Sequence, residues 1–167
     1  MNPALSAQAS SDQHPLTLVE ELLSERDWNY ERLDEESLLS EIQGRWGVYH
    51  LYFVWREDAE CLMASSVVET HVPEAQRQIA NELISTINPK IWMGHFELSE
   101  DEENICYRYT FPLRGSKEFA PEQVEDILDS AITECDRFYP ALQFVLWGGR
   151  TPQEAAFAAM VDIAGEA

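Results

Sequence analysis

Positive charge is scarce in this sequence. Lys and Arg number 11 against 31 Asp and Glu, a formal net charge of −20. A chain this acidic repels phosphate backbones and anionic lipid headgroups, so neither nucleic acid nor a membrane surface is an expected partner. Long apolar runs are missing too. The longest, Ala155 to Val161, falls far short of the roughly 20 residues that span a bilayer. Met1-Asn2-Pro3-Ala4-Leu5 has neither the basic start nor the apolar run of a secretory signal. Cysteine is limited to Cys61, Cys106 and Cys135. They cannot all pair within one chain, and their spacing fits neither a zinc ribbon nor a redox Cys-x-x-Cys. They read as free core or sheet thiols in a reducing cytoplasm. There is no Gly-rich phosphate loop, Gly-x-Ser-x-Gly elbow or His-Glu-x-x-His, and no metal or cofactor is expected.

What is present is globular material. A length of 167 residues suits one domain, and 45% apolar residues with five Trp, six Tyr and seven Phe supply a core. Residues 1–14 are rich in Ser, Ala and Gln without periodicity and read as a flexible tail, leaving 15–167 as a single domain.

Helical spacing starts at Pro15, with Leu16, Val19 and Leu23 on one face. A short strand is expected within Trp28–Leu33, ended by Asp34-Glu35-Glu36. A three-strand meander follows: Leu38–Gln43, Val48–Trp55 and Cys61–Thr70. Its turns are Gly44-Arg45-Trp46-Gly47 and Glu57-Asp58-Ala59-Glu60. The middle strand is apolar on both sides, so it is either covered twice or presents a face to a partner. A second helix runs from Pro73 to Asn88, with Ile79, Leu83, Ile84 and Ile87 as its stripe. A long helix begins at Ala120-Pro121-Glu122, and Pro140 predicts a kink or break near Tyr139. Gly148-Gly149 stops it. Thr151-Pro152-Gln153-Glu154 then starts a last helix, with Phe157, Met160, Val161 and Ala164 as its buried stripe and Gly165 at its end.

Between the second helix and the long one lies a hairpin, Trp92–Leu98 with Ile105–Leu113. Placing Leu98 opposite Ile105 sets Phe96 against Tyr107, Gly94 against Tyr109 and Trp92 against Phe111, an apolar side. The other side then carries Glu97 with Cys106, His95 with Arg108 and Met93 with Thr110. A slip of one residue would exchange the two faces, so the pattern fixes the register. Across the earlier turn, Ile42 facing Tyr49 puts Glu41 opposite His50. The fold class is α+β: an antiparallel sheet, built from the meander and the hairpin with a helix between, packed with helices.

Gly44-Arg45-Trp46-Gly47, Trp55-Arg56, Trp92-Met93-Gly94-His95-Phe96, and the run from Glu134 through Trp147-Gly148-Gly149 to Thr151-Pro152-Gln153-Glu154-Ala155 resemble the YbjN-like proteins. These are described as bacterial sensory transduction regulators. The resemblance extends over roughly residues 16–166. It implies a fold similar to type III secretion chaperones, no established catalytic residues and no cofactor. By that analogy it implies a homodimer that captures a segment of another protein.

His95, Glu97, Cys106 and Arg108 share one face. They are either a polar sheet surface with Glu97 paired to Arg108, or a functional group: a nucleophilic thiol beside a histidine, or a small metal site. The polar surface is preferred, because a thiol also needs an orienting group and an oxyanion donor. The acidic clusters at 34–36, 57–60, 100–103 and along 122–129 lack the alternating oxygens and Gly of a calcium loop and read as solvated faces. Their sharper reading is recognition of a basic partner. Trp46, Trp55, Trp92 and Trp147 are core anchors by default, with Trp46 the exception, between two glycines. The expected protein-binding residues are Arg45, Trp46, Tyr52, Val54, His95 and Arg108. The expected function is non-enzymatic protein binding. A small-ligand sensor with a pocket beneath the aromatic cluster, or a thiol enzyme using Cys106 with His95, are the alternatives.

Overall fold

The computed structural model describes residues 14–99, 101, 103–116 and 119–164, with side chains as far as 161. Apart from His14, the expected tail lies outside these residues. So do Gly165, the side chain of Ala164, and Glu100 and Glu102 of the third acidic cluster.

Helix α1 spans Pro15–Glu25, with His14 as N-cap accepting from the Leu16 amide at 3.3 Å. Strands β1 (Tyr30–Arg32), β2 (Ser37–Gln43), β3 (Val48–Arg56) and β4 (Cys61–Val68) follow. A 3-10 turn at Glu74–Gln76 leads into α2 (Arg77–Ile87), so the α-helix proper starts later than Pro73 suggested. Then come β5 (His95–Leu98), β6 (Ile105–Pro112), α3 (Pro121–Leu146) and α4 (Pro152–Ala164). The strands form one sheet in the order β1-β2-β3-β4-β6-β5, with every neighbouring pair antiparallel.

One side of the sheet carries Leu38, Ile42, Tyr49, Leu51, Phe53, Leu62, Ala64, Val68, Phe96, Ile105 and Tyr107, all buried against the helices. Each buried hydroxyl there has a partner, as burial demands. Ser40 donates to the Asn29 carbonyl at 2.8 Å, Ser66 Oγ accepts from the Cys135 thiol at 3.4 Å, and Thr70 Oγ1 accepts from the Ile105 amide at 3.1 Å.

Pro140 does not break α3, which runs unbroken from Pro121 to Leu146. A proline in a helix removes the bond to the carbonyl four residues earlier and pushes that carbonyl outward. Here that carbonyl is Asp136 O, and the Trp46 indole Nε1 donates to it at 2.8 Å. The Asp136 carboxylate takes two more donors from the same region through its Oδ1. The Arg45 amide lies at 2.8 Å and the Tyr49 hydroxyl at 2.6 Å. The β2–β3 turn is thus fastened onto the helix at its proline. Gly44 is required for this: a Cβ there would lie 2.5 Å from Cζ of the Tyr49 ring, which crosses the turn to reach Asp136. Burial, then the hydrogen bond and charge of Asp136, push the Tyr49 hydroxyl far above the ordinary phenol range.

The hairpin register holds where the strands pair: His95 with Arg108, Phe96 with Tyr107, Glu97 with Cys106, Leu98 with Ile105. It does not extend to Gly94–Tyr109, Met93–Thr110 or Trp92–Phe111. The Asn88 side-chain amide occupies the outer edge of β5, accepting from the Phe96 amide at 2.8 Å and donating to its carbonyl at 3.0 Å. Before His95 the chain bends, with Gly94 at φ +72°. The ring over Gly94 is Tyr107, not Tyr109: a Cβ on Gly94 would meet Tyr107 Cζ at 2.5 Å, and the Tyr107 hydroxyl donates to Met93 O at 2.5 Å.

Two further expectations are corrected. In α4 the buried side is Ala155, Ala156 and Ala159, while Phe157, Met160 and Val161 are exposed. The small residues let α4 lie close against α2 and α3, and the large ones face out. Its cap is as expected: the Thr151 amide donates to Glu154 Oε2 at 3.1 Å and the Glu154 amide to Thr151 Oγ1 at 3.3 Å. Nor do three of the four tryptophans anchor the core: Trp92 is 99% exposed and Trp46 and Trp147 are exposed, while Trp55, partly buried, packs against it. Nothing in the structure explains the exposure of Trp92.

Replacing Trp46 by Phe keeps the ring and removes the donor, and is expected to cost about 1 kcal/mol of unfolding free energy. Asp136→Ala leaves the Tyr49 hydroxyl and the Arg45 amide without their acceptor and is expected to cost about 2–3 kcal/mol, since hydrogen bonds to a charged group are the stronger ones. Urea titration checks both. Unchanged midpoints would show that the turn is not held by this node.

Candidate functional site

Side chains alternate across a strand, so the residues opposite the core share the sheet's other face. Register places Glu31, Leu39, Tyr52, Ser65, Arg108 and His95 in one row across six strands. Beside it run Ser37, Val54, Met63 and Thr110, and on the other flank Glu41, His50, Val67, Cys106 and Glu97. Among the described residues the helices pack on the opposite face. Tyr52 and Val48 are exposed, while Leu39, Val54, Met63 and Val67 are half-buried by their neighbours in the sheet. The middle strand therefore presents one apolar side to the core and the other to solvent.

Four of the six expected binding residues meet here: Tyr52, Val54, His95 and Arg108. Arg45 and Trp46 do not. They sit at the β2–β3 turn on the helix side, with the Arg45 guanidinium 5.3 Å from the centre of the Trp46 ring.

The polar part of the face is tied together by Glu97. Arg108 Nη2 lies 2.7 Å from Glu97 Oε1, His95 Nε2 3.3 Å from Glu97 Oε2, and the Cys106 thiol 3.8 Å from Glu97 Oε1. At the other side His50 stands between two carboxylates, its Nδ1 3.5 Å from Glu41 Oε1 and its Nε2 3.4 Å from Glu69 Oε1. The sequence pairing of Glu41 with His50 is observed. Glu69 was missed although the expected strand Cys61–Thr70 contained it; counting two residues on from Val67, opposite His50, would have found it.

The surroundings of Cys106 disfavour a nucleophilic thiolate. Burial pushes the Cys106 thiol up to about 11, and the neighbouring Glu97 charge adds to this while Arg108 opposes it. Its polar partner is a carboxylate, which disfavours thiolate. Cys135 is buried deeper and pushed up to about 12, mainly by desolvation. The place of the expected ligand pocket is taken by packed rings. Phe96 meets Tyr107 and Phe138 edge to face, with centroids 5.5 and 5.9 Å apart. A surface cleft of about 380 Å³ lies elsewhere, lined by His14, Arg32, Glu35, Glu36, Trp55 and Glu57. Among the described residues no group of three or more His, Cys, Asp or Glu is arranged to hold a metal, and no helix is long and apolar enough to cross a membrane. The acidic clusters at 34–36, 57–60 and 122–129 are exposed where described.

At pH 8 a thiol with Cys106's displaced equilibrium holds about one thiolate in a thousand. Alkylation of Cys106 by iodoacetamide is therefore expected to run on the order of a hundredfold slower than that of a free thiol, and to accelerate as pH rises towards 11. A rate equal to that of a small-molecule thiol would restore the nucleophile reading.

The sequence model of the YbjN family, described as "Putative bacterial sensory transduction regulator", matches residues 15–144. It stops short of the segment from Trp147 to Ala155 that the resemblance had included. No curated protein matches the chain. Among solved structures it is similar to YbjN from E. coli, with 12% identity and a TM-score of 0.49, over 74% of this chain and 92% of that one. It is also similar to a chain of the ExsC–ExsE complex, at 16% identity and a TM-score of 0.47, over 72% of this chain and 90% of that one. A third likeness is to a chain of the HopA1–SchA chaperone–effector complex, at 11% identity and a TM-score of 0.47, over 73% of this chain and 89% of that one. With residues 15–144 of 167 matched, the chain belongs to the YbjN family.

Proposed function

We propose that this protein is a non-enzymatic binding module of the cytoplasm that holds a segment of another protein on the open face of its sheet, as a chaperone or adaptor in bacterial sensory signalling. The observation that carries the reading is the apolar band of Leu39, Tyr52, Val54, Met63 and Val67 across three adjacent strands, which no helix covers among the described residues. A contiguous apolar surface of this kind, rimmed by polar groups, is the mark of a docking site. Family membership and the raised Cys106 thiol are in keeping with it. Tyr52 and Val54 would contact the partner, and the Glu97–Arg108–His95 group would border it. Arg45 and Trp46 are assigned to holding the fold.

A photo-crosslinking residue placed at Tyr52 or Val54 is expected to give discrete protein adducts in the native cell. The same residue at Asp129, exposed on α3, is expected to give none. Adducts from Asp129 alone would place the partner on the helices and overturn the reading.

A further inference from the structure

The charge on the open face is unevenly placed. Towards β5 it is balanced, because Arg108 pairs with Glu97 at 2.7 Å. Around His50, on β3, it is not. Glu41 and Glu69 share one imidazole, His50, which even when protonated offsets only one of their two charges. The side chains of Glu41 and Glu69 are 62% and 79% exposed, and they flank the apolar band at Leu39, Tyr52 and Val67. A second copy of this chain is a poor occupant, since each copy brings a net charge of −20.

We infer that the segment received by the open face is amphipathic and cationic. Its apolar side chains cover Tyr52, Val54 and Met63, and a Lys or Arg stands over Glu41 and Glu69, the two carboxylates at His50. This rests on the proposed docking role and adds the chemistry of the partner. Opposite charge placed beside an apolar contact raises the encounter rate and selects among partners. It acts over about 8 Å at physiological salt, so the cation must lie close to this pair to matter.

The test is a random peptide library selected on the wild-type chain and on Tyr52→Asp. Peptides held by the first and lost on the second are expected to be rich in Lys or Arg beside apolar residues. Their affinity is expected to fall about tenfold in the double variant Glu41→Gln with Glu69→Gln. It should stay within about twofold in Glu122→Gln with Glu125→Gln, which removes the same charge from the exposed side of α3. Face-dependent peptides without cationic enrichment, or equal losses in both double variants, would overturn the inference and leave the docking role standing. Recovery of no Tyr52-dependent peptide would overturn the docking role itself.

Discussion

One carbonyl, Asp136 O, sets the relation between sheet and helices. Pro140 leaves it without its helical donor, and a carbonyl so exposed within a packed helix would ordinarily bend or fray it. The Trp46 indole supplies the missing donor, and the Asp136 side chain takes the Arg45 amide and the Tyr49 hydroxyl alongside. Three bonds to one residue fix the end of the β2–β3 hairpin against α3. With that end fixed, Tyr49, Leu51 and Phe53 must face the helices. By alternation Val48, His50, Tyr52 and Val54 must face away. The open face follows from how the closed one is fastened.

Much of this was legible in the sequence. The β2–β3 register followed from Ile42 and Tyr49 flanking a four-residue turn. The paired part of β5 and β6 followed from Phe96, Leu98, Ile105 and Tyr107 being apolar on one side only. Parity also set His95 beside Arg108, and Tyr52 and Val54 were named on the middle strand, but that the two pairs share one face depends on the β4–β6 pairing, which no sequence pattern announced. What parity cannot supply is where pairing stops. The Asn88 amide closes the edge of β5 and the chain bends at Gly94, and neither event has a periodic signal.

The errors share a cause: local rules were overridden by a distant partner. Pro140 signalled a kink or break, and the helix does not break: the indole that satisfies the orphaned carbonyl lies about ninety positions away in sequence. In α4 the large apolar residues looked like the buried stripe. Close approach to α2 and α3 instead selects Ala155, Ala156 and Ala159, since small side chains let helix axes draw together. Arg45 and Trp46, expected at a binding surface, are both exposed, and the Arg45 amide and the Trp46 indole also bond to α3. The half of the Trp46 surface that stays exposed belongs to a residue with a structural task.

The open band and its uneven rim join the fold to its proposed work. Burial of the opposite side holds the strands in register, and that register alone assembles side chains from β2, β3, β4, β5 and β6 into one surface. Oxidative footprinting of the isolated chain tests this directly. Tyr52 and Met63 are expected to be labelled readily, while Tyr49 and Tyr107, 1% and 0% exposed, are protected. Protection of Tyr52 and Met63, or labelling of Tyr49 and Tyr107, would contradict the account.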